Sequence, residues 1–186
     1  MIYLIPTDTC FWLACAINNS KSYDKIYRIK KRSYLKPLVI MVENFEWLKK
    51  NTNLNNEQIE FLKNYKKPFT ILTNSNHLKT WLNYKDEETA FVNKWEYKQV
   101  AFRVANNSVQ KNLIKKVWPI FLTSANLSNK PEIYEIEKLE EQFQYYIDKK
   151  KIEMLGVKDL DKNVLPSDIF EFVWDSLDIE YLRKNN

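Results

Sequence analysis

The chain has 186 residues and a formal net charge of +5, from 29 Lys plus Arg against 24 Asp plus Glu. That length suffices for one well-buried domain, and no Gly-, Pro- or Ser-rich linker divides it, so residues 1–186 read as a single domain. No apolar stretch approaches a membrane span, and no secretory h-region precedes the polar Pro6-Thr7-Asp8-Thr9 run; the expectation is a soluble, cytoplasmic protein with no membrane partner.

In chain order, short runs rich in Ile, Val, Phe and Leu predict strands at Ile2 to Ile5, Pro37 to Val42, Phe69 to Thr73, Val100 to Val104, Ile120 to Thr123 and Ile169 to Val173. Between them, Tyr23, Ile26, Tyr27 and Lys30 recur at helical spacing after the cap candidates Asn19 and Ser20. Val109, Leu113 and Val117 do so after Asn106, Asn107 and Ser108, and Ile136, Leu139, Phe143 and Ile147 do so after Glu135. Asn74 to Gln99 shows little periodicity and reads as an irregular excursion. Strands alternating with helices, several of them continuous apolar runs, argue for an α/β sheet covered on both faces.

Four clusters place polar or cationic groups at the ends of strands or helices, where α/β sheets bind ligands. Pro6-Thr7-Asp8-Thr9 follows the first strand; alone it is a turn closing that strand. Lys30 lies seven residues beyond Tyr23 on the apolar stripe of its helix, so its ammonium is aimed inward or along the sheet edge, and Arg32 follows past the helix end. Together they form an anion clamp or a complement to the negative end of the helix dipole. Thr123-Ser124-Ala125-Asn126 ends an apolar strand with hydroxyls, an amide and backbone N–H groups suited to adenine, ribose or phosphate oxygens. In Val100-Ala101-Phe102-Arg103-Val104, alternation puts Arg103 on the face opposite Phe102 beside the small Ala101. Cys10, Cys15 and the single histidine, His77, give no disulfide framework, zinc site or catalytic triad, and with Gly156 as the one glycine there is no Gly-rich phosphate loop. The basic residues are spread along the chain, which favours a solvated surface over a nucleic-acid patch.

In this order the clusters resemble the YrdC-type family of threonylcarbamoyl-AMP synthases in its short, single-domain form. The segments are Pro6 to Phe11, Ile26 to Arg32 with Lys36-Pro37-Leu38, Lys67 to Leu72, Val100 to Val104 and Thr123 to Ser128. The resemblance implies a twisted mixed sheet with helices packed on it, YrdC/RibB-like. It also implies that Lys30, Arg32, Ser124 and Asn126 form the catalytic tetrad lining the cavity. Thr7, Thr9, Arg103 and Ser167 would hold the amino acid, and Thr123 and Arg183 would join the tetrad on the nucleotide. The implied substrates are ATP with Mg²⁺ on its phosphates rather than at a protein site, L-threonine and bicarbonate. The implied recipient is a separate tRNA-threonylcarbamoyl transferase, and RNA is a further possible partner.

The chain departs from the family's pattern in several places. Relatives begin with a helix before the first strand, and here Met1 opens on that strand. Trp12, in what resembles a turn after Thr-Asp-Thr, and Trp118, before the Thr-Ser-Ala-Asn strand, stand where the family carries glycine; Asn129 replaces the glycine after Leu-Ser. One glycine against six tryptophans suggests that Trp12 and Trp118, with Trp95 and Trp174, come from UGA codons read as glycine; an AT-driven divergent sequence is the other explanation. Competing functions are the related domain of hydrogenase-maturation carbamoyltransferases, whose acylphosphatase and zinc-finger regions are missing here, and a basic module that grips double-stranded RNA or tRNA without catalysis. A degenerate paralogue with the fold and no activity is the third.

Overall fold

The computed structural model describes residues 1–74, 99–117 and 119–185. In chain order these form β1 (Ile2–Pro6), β2 (Phe11–Ala16), α1 (Ser20–Lys30), β3 (Val39–Val42), α2 (Phe45–Asn51), α3 (Asn56–Asn64), β4 (Phe69–Asn74) and β5 (Gln99–Val104). Then follow α4 (Ser108–Val117), β6 (Ile120–Ser124), α5 (Ile136–Asp148), β7 (Ile152–Met154), β8 (Asp168–Phe172) and β9 (Ile179–Arg183). The strands join in one mixed sheet of order β7-β1-β2-β6-β3-β5-β4-β8-β9, with parallel pairs β1–β7, β3–β5 and β4–β8 and the rest antiparallel.

Strand alternation sorts the core into two clusters, one on each face. Ile2, Leu4, Phe11, Leu13 and Cys15 face α1, α3 and α5 through Tyr23, Ile26, Ile59, Leu139 and Phe143. Tyr3, Ile5, Trp12, Ala14 and Met41 face α4 through Leu113 and Ile114.

The caps are side-chain amides that accept otherwise orphaned N–H groups. Asn19 Oδ1 accepts from Ser22 N–H at 2.9 Å and starts α1, which ends as Lys31 turns left-handed (φ 50) and Arg32 N–H donates to Tyr27 O at 2.9 Å. Asn107 Oδ1 accepts from Gln110 N–H at 2.9 Å and starts α4, while Asn55 and Gln58 form a reciprocal capping box on α3.

The six expected strands and three expected helices are present. Three strands and two helices lie where no element is expected. Phe11-Trp12-Leu13, expected as a turn from the family resemblance, instead lie in strand β2: Phe11, Leu13 and Cys15 pack on one side and Trp12 and Ala14 on the other, so a strand buried on both faces shows no polar alternation. The short helix α2 buries only Leu48, too little to register as a stripe. His77, Trp95, Trp118 and the interior of the aperiodic Asn74 to Gln99 segment lie outside the described residues.

Candidate active site

Lys30 closes α1 on its apolar stripe, and its side chain is 1% exposed. The ammonium donates to the backbone oxygens of Ser124 and Asn126, and to Asn126 Oδ1 at 3.3 Å. Ser124 Oγ donates to that same Oδ1 at 2.6 Å, and Ser128 N–H donates to Lys30 O at 2.9 Å. Helix α1 and the segment after β6 are thus fastened together through one residue. Burial, and next the positive charge of Arg32, push the Lys30 ammonium down to about 8, while the surrounding oxygens favour its charged form.

Arg32 takes a different course. Its Nε donates to Lys36 O at 3.0 Å and its Nη2 to Pro37 O at 3.1 Å, so it braces its own loop and reaches Lys30 through space rather than bonding Ser124 or Asn126. Thr123, opposite Leu13 in the β2–β6 pair, is buried on the α1 face, whereas Ser124 lies opposite Trp12.

A second cluster surrounds Arg103, which is 3% exposed on the α4 face. Its Nη2 donates to Asp8 Oδ1, its Cζ sits 5.0 Å from the centre of the Trp12 ring, and its Nη1 is buried without a hydrogen-bond partner. The indole Nε1 donates to Thr9 Oγ1 at 3.2 Å, and Thr9 Oγ1 lies 3.0 Å from Thr7 Oγ1. Thr7 Oγ1 in turn donates to Cys10 O at 2.8 Å. On the other side, Arg183 donates through Nε to Ser167 O at 2.8 Å and through Nη2 to Ser167 Oγ at 3.1 Å, and Ser167 Oγ lies 3.2 Å from Thr70 Oγ1. Arg183 is close enough to act on the Arg103 guanidinium. A cavity of about 330 Å³ opens beside this cluster, lined by Asp8, Phe45, Tyr65, Lys67, Arg103 and Asn106 among others.

Cys10 lies between the clusters, near enough to both Lys30 and Arg103 to influence each. Burial, then the Glu132 carboxylate, push its thiol up to about 12, so it serves as packing rather than as a nucleophile. Lys30 is therefore joined directly to Ser124 and Asn126, Thr7 is linked through Thr9 to Trp12, whose ring lies against Arg103, and Ser167 is joined to Arg183. Asp8, Trp12, Thr70 and Glu132 complete the surroundings without having been singled out as site residues. Asp8 stands in plain sight in the Thr-Asp-Thr run, but Thr70 is aligned with Arg103 only through the β4–β5 register, which has no local signal. Among the described residues, no group of three or more His, Cys, Asp or Glu could hold a metal ion, and no helix is long and apolar enough to cross a membrane.

The statistical model of the Sua5/YciO/YrdC family, described as Telomere recombination, matches residues 1–173. The chain belongs to the Sua5/YciO/YrdC family. Threonylcarbamoyl-AMP synthase of Pseudoalteromonas translucida (strain TAC 125) is 26% identical over 155 residues, covering 79% of this chain and 78% of the relative. The protein of the same name from Blochmanniella pennsylvanica (strain BPEN) is 24% identical over 159 residues, covering 83% and 77%. This Sua5/YciO/YrdC chain is thus homologous to proteins named as enzymes. Sua5 of P. abyssi in complex with L-threonine superposes with a TM-score of 0.72 at 23% identity, and YciO of E. coli with 0.73 at 16%. Each superposition covers 98% of this chain; the chain spans 49% of that Sua5 chain and 82% of YciO. At these identities the superpositions show the shared fold, a mixed sheet with helices packed on it.

Proposed function

We propose that this protein is an L-threonylcarbamoyladenylate synthase, forming threonylcarbamoyl-AMP from L-threonine, bicarbonate and ATP for modification of tRNA. The observation that carries this reading is a buried guanidinium, Arg103, with an unmatched Nη1 beside a cavity, together with a second buried cation, Lys30, held on the backbone oxygens of Ser124 and Asn126 and on the Asn126 amide oxygen. A buried N–H of a charged group without a partner costs free energy unless a ligand supplies the acceptor. In this reading the α-carboxylate of threonine is that acceptor, with Thr7, Thr9 and the Ser167–Arg183 pair around the rest of the amino acid.

The reaction balances as threonine plus bicarbonate plus ATP giving threonylcarbamoyl-AMP, pyrophosphate and water. The amine of threonine captures bicarbonate or CO₂ as a carbamate, a carbamate oxygen attacks the α-phosphorus, and the bond to the bridging oxygen of pyrophosphate breaks. Anion must approach polyanion, so the main demands on the protein are charge and position. Lys30 supplies a positive charge in a water-poor setting, Ser124 and Asn126 offer a hydroxyl and an amide to the adenylate, and Arg32 and Arg183 add charge at the rim. Mg²⁺ enters with ATP, as part of the substrate. The product is passed to a separate transferase.

Release of pyrophosphate from ATP in the presence of bicarbonate and each amino acid in turn tests the reading. The expected result is release that requires L-threonine and bicarbonate together. Release that ignores the amino acid, or none at all alongside tight binding of double-stranded RNA, would replace the synthase with the RNA-binding module.

A further inference from the structure

Two of the tryptophans bear on the site and the backbone: Trp174 stands where the backbone is left-handed, and the ring of Trp12 lies among the groups proposed to hold the amino acid. Trp174 lies in the turn between β8 and β9 at φ 57, and its side chain is 90% exposed. A bulky L-residue in the left-handed region is an outlier, and an exposed indole gains nothing from burial to offset it. The turn itself is firmly held, since Gln58 Nε2 donates to Trp174 O at 3.1 Å and to Ser176 O at 2.9 Å, and Asn55 Nδ2 donates to Asp175 O at 2.9 Å. The backbone at residue 174 is left-handed, as at Lys31, Asn129 and Lys150, but here it carries an aromatic ring that is almost wholly exposed. Gly156, the only residue written as glycine, sits at the similar φ of 58, where an added Cβ would lie 2.4 Å from Val109 Cγ2.

Trp12 differs, since it lies in β2 and packs in the α4-face core, 8% exposed. Its indole takes the Thr9 hydroxyl and lies under Arg103, occupying the space between two groups assigned to the amino acid. Trp47 has a packing role as well, in the first turn of α2 with its ring 6.1 Å from that of Phe102. The imbalance is one of composition as well, with one glycine and six tryptophans in 186 residues against an average glycine usage of about 7%.

We infer that the codons for residues 12 and 174 are UGA and that the host inserts glycine there, so that the working protein carries no indole between Thr9 and Arg103. UGA differs from the glycine codon GGA in its first base alone, so a glycine tRNA with one altered anticodon base reads it; translation under a code that assigns UGA to tryptophan produces the chain as written. The argument at residue 174 stands on backbone geometry alone, while that at residue 12 rests on the amino-acid reading of the pocket.

Peptide sequencing by mass spectrometry of the protein made in its own host decides the matter. Glycine at 12 and 174 with tryptophan at 47 is expected; tryptophan at either 12 or 174 overturns the inference. In recombinant protein, W174G should raise the thermal midpoint by about 2–8 °C by removing left-handed strain, and a lowered midpoint counts against the inference. Because W12G empties a core position, its L-threonine binding is measured by calorimetry on protein whose urea transition shows it folded; stronger binding is expected, and unchanged or weaker binding, or a variant that does not fold, counts against glycine at that position. The two readings fail separately: glycine at residue 12 without threonine-dependent pyrophosphate release sinks the synthase alone, and tryptophan at residue 12 with that release sinks the recoding alone.

Discussion

Replacing Lys30 by methionine keeps the length and most of the volume of the side chain while deleting its charge. The ammonium donates to two backbone oxygens and one amide oxygen, all inside the protein. Hydrogen bonds from a charged donor contribute about 1.5–3 kcal/mol each, so losing the two backbone bonds removes about 3–6 kcal/mol, partly offset because no charge has to be desolvated. A net destabilisation of about 2–4 kcal/mol is expected, within the range for breaking a buried polar network. Urea unfolding followed by tryptophan fluorescence measures it. At urea concentrations where the variant remains folded, pyrophosphate release should fall about 10²–10³-fold, the usual consequence of deleting one preorganised electrostatic group. An unchanged urea midpoint together with an unchanged release rate would falsify the assignment of Lys30 to both scaffold and site.

The same ammonium gives a pH dependence with two opposite signs. The folded protein releases the Lys30 proton at about 8, below the ordinary lysine value of 10.5, so stability should rise with pH between those limits as the unfolded chain holds the extra proton, while ATP affinity falls. Titrating both quantities in wild type and K30M checks this, since the variant should lack both slopes. Arg103→Met should raise the KM for L-threonine by about 30-fold or more, the effect of about 2 kcal/mol at the low end for a buried charge contact, with a smaller change in kcat; steady-state kinetics with varied threonine would separate the two. Tyr65→Phe removes a 2.6 Å bond to Asp168 Oδ2 and should cost about 1.5–3 kcal/mol at pH 7. Burial raises the Asp168 carboxyl, but hydrogen bonds from Tyr65 and Asn185 outweigh it and hold the group below its ordinary value. Its contribution is therefore present at neutral pH and fades as acid protonates it, and the gap between wild type and variant in thermal unfolding should close below about pH 4.

Much of this was legible in the residues. The stripe Tyr23, Ile26, Tyr27, Lys30 placed a lysine on the inner face of α1, and three of the four are core residues around it. What local pattern does not encode is where that lysine ends up, because its oxygen partners lie 94 and 96 residues away and their position depends on β6 pairing with β2. Alternation put Arg103 on the face opposite Phe102, yet its partners Asp8 and Trp12 come from β1's loop and from a strand that resembles a turn. The Lys-x-Arg pair divides in the fold: the left-handed residue Lys31 turns the chain between its members, so Lys30 points inward and Arg32 points back at Lys36 and Pro37.

Because Lys30 is tethered by its carbonyl to Ser128 and by its ammonium to Ser124 and Asn126, the cation is parked on main-chain oxygens in the free protein. In the proposed synthase an arriving phosphate would meet a charge that has already shed its hydration, and it would compete with neutral carbonyls rather than with a carboxylate. The ion could then be drawn partway toward that ligand without abandoning a counter-charge. Under that proposal any such pull would be felt by the segment carrying the hydroxyl and the amide, because the same residue is tied to it at both ends.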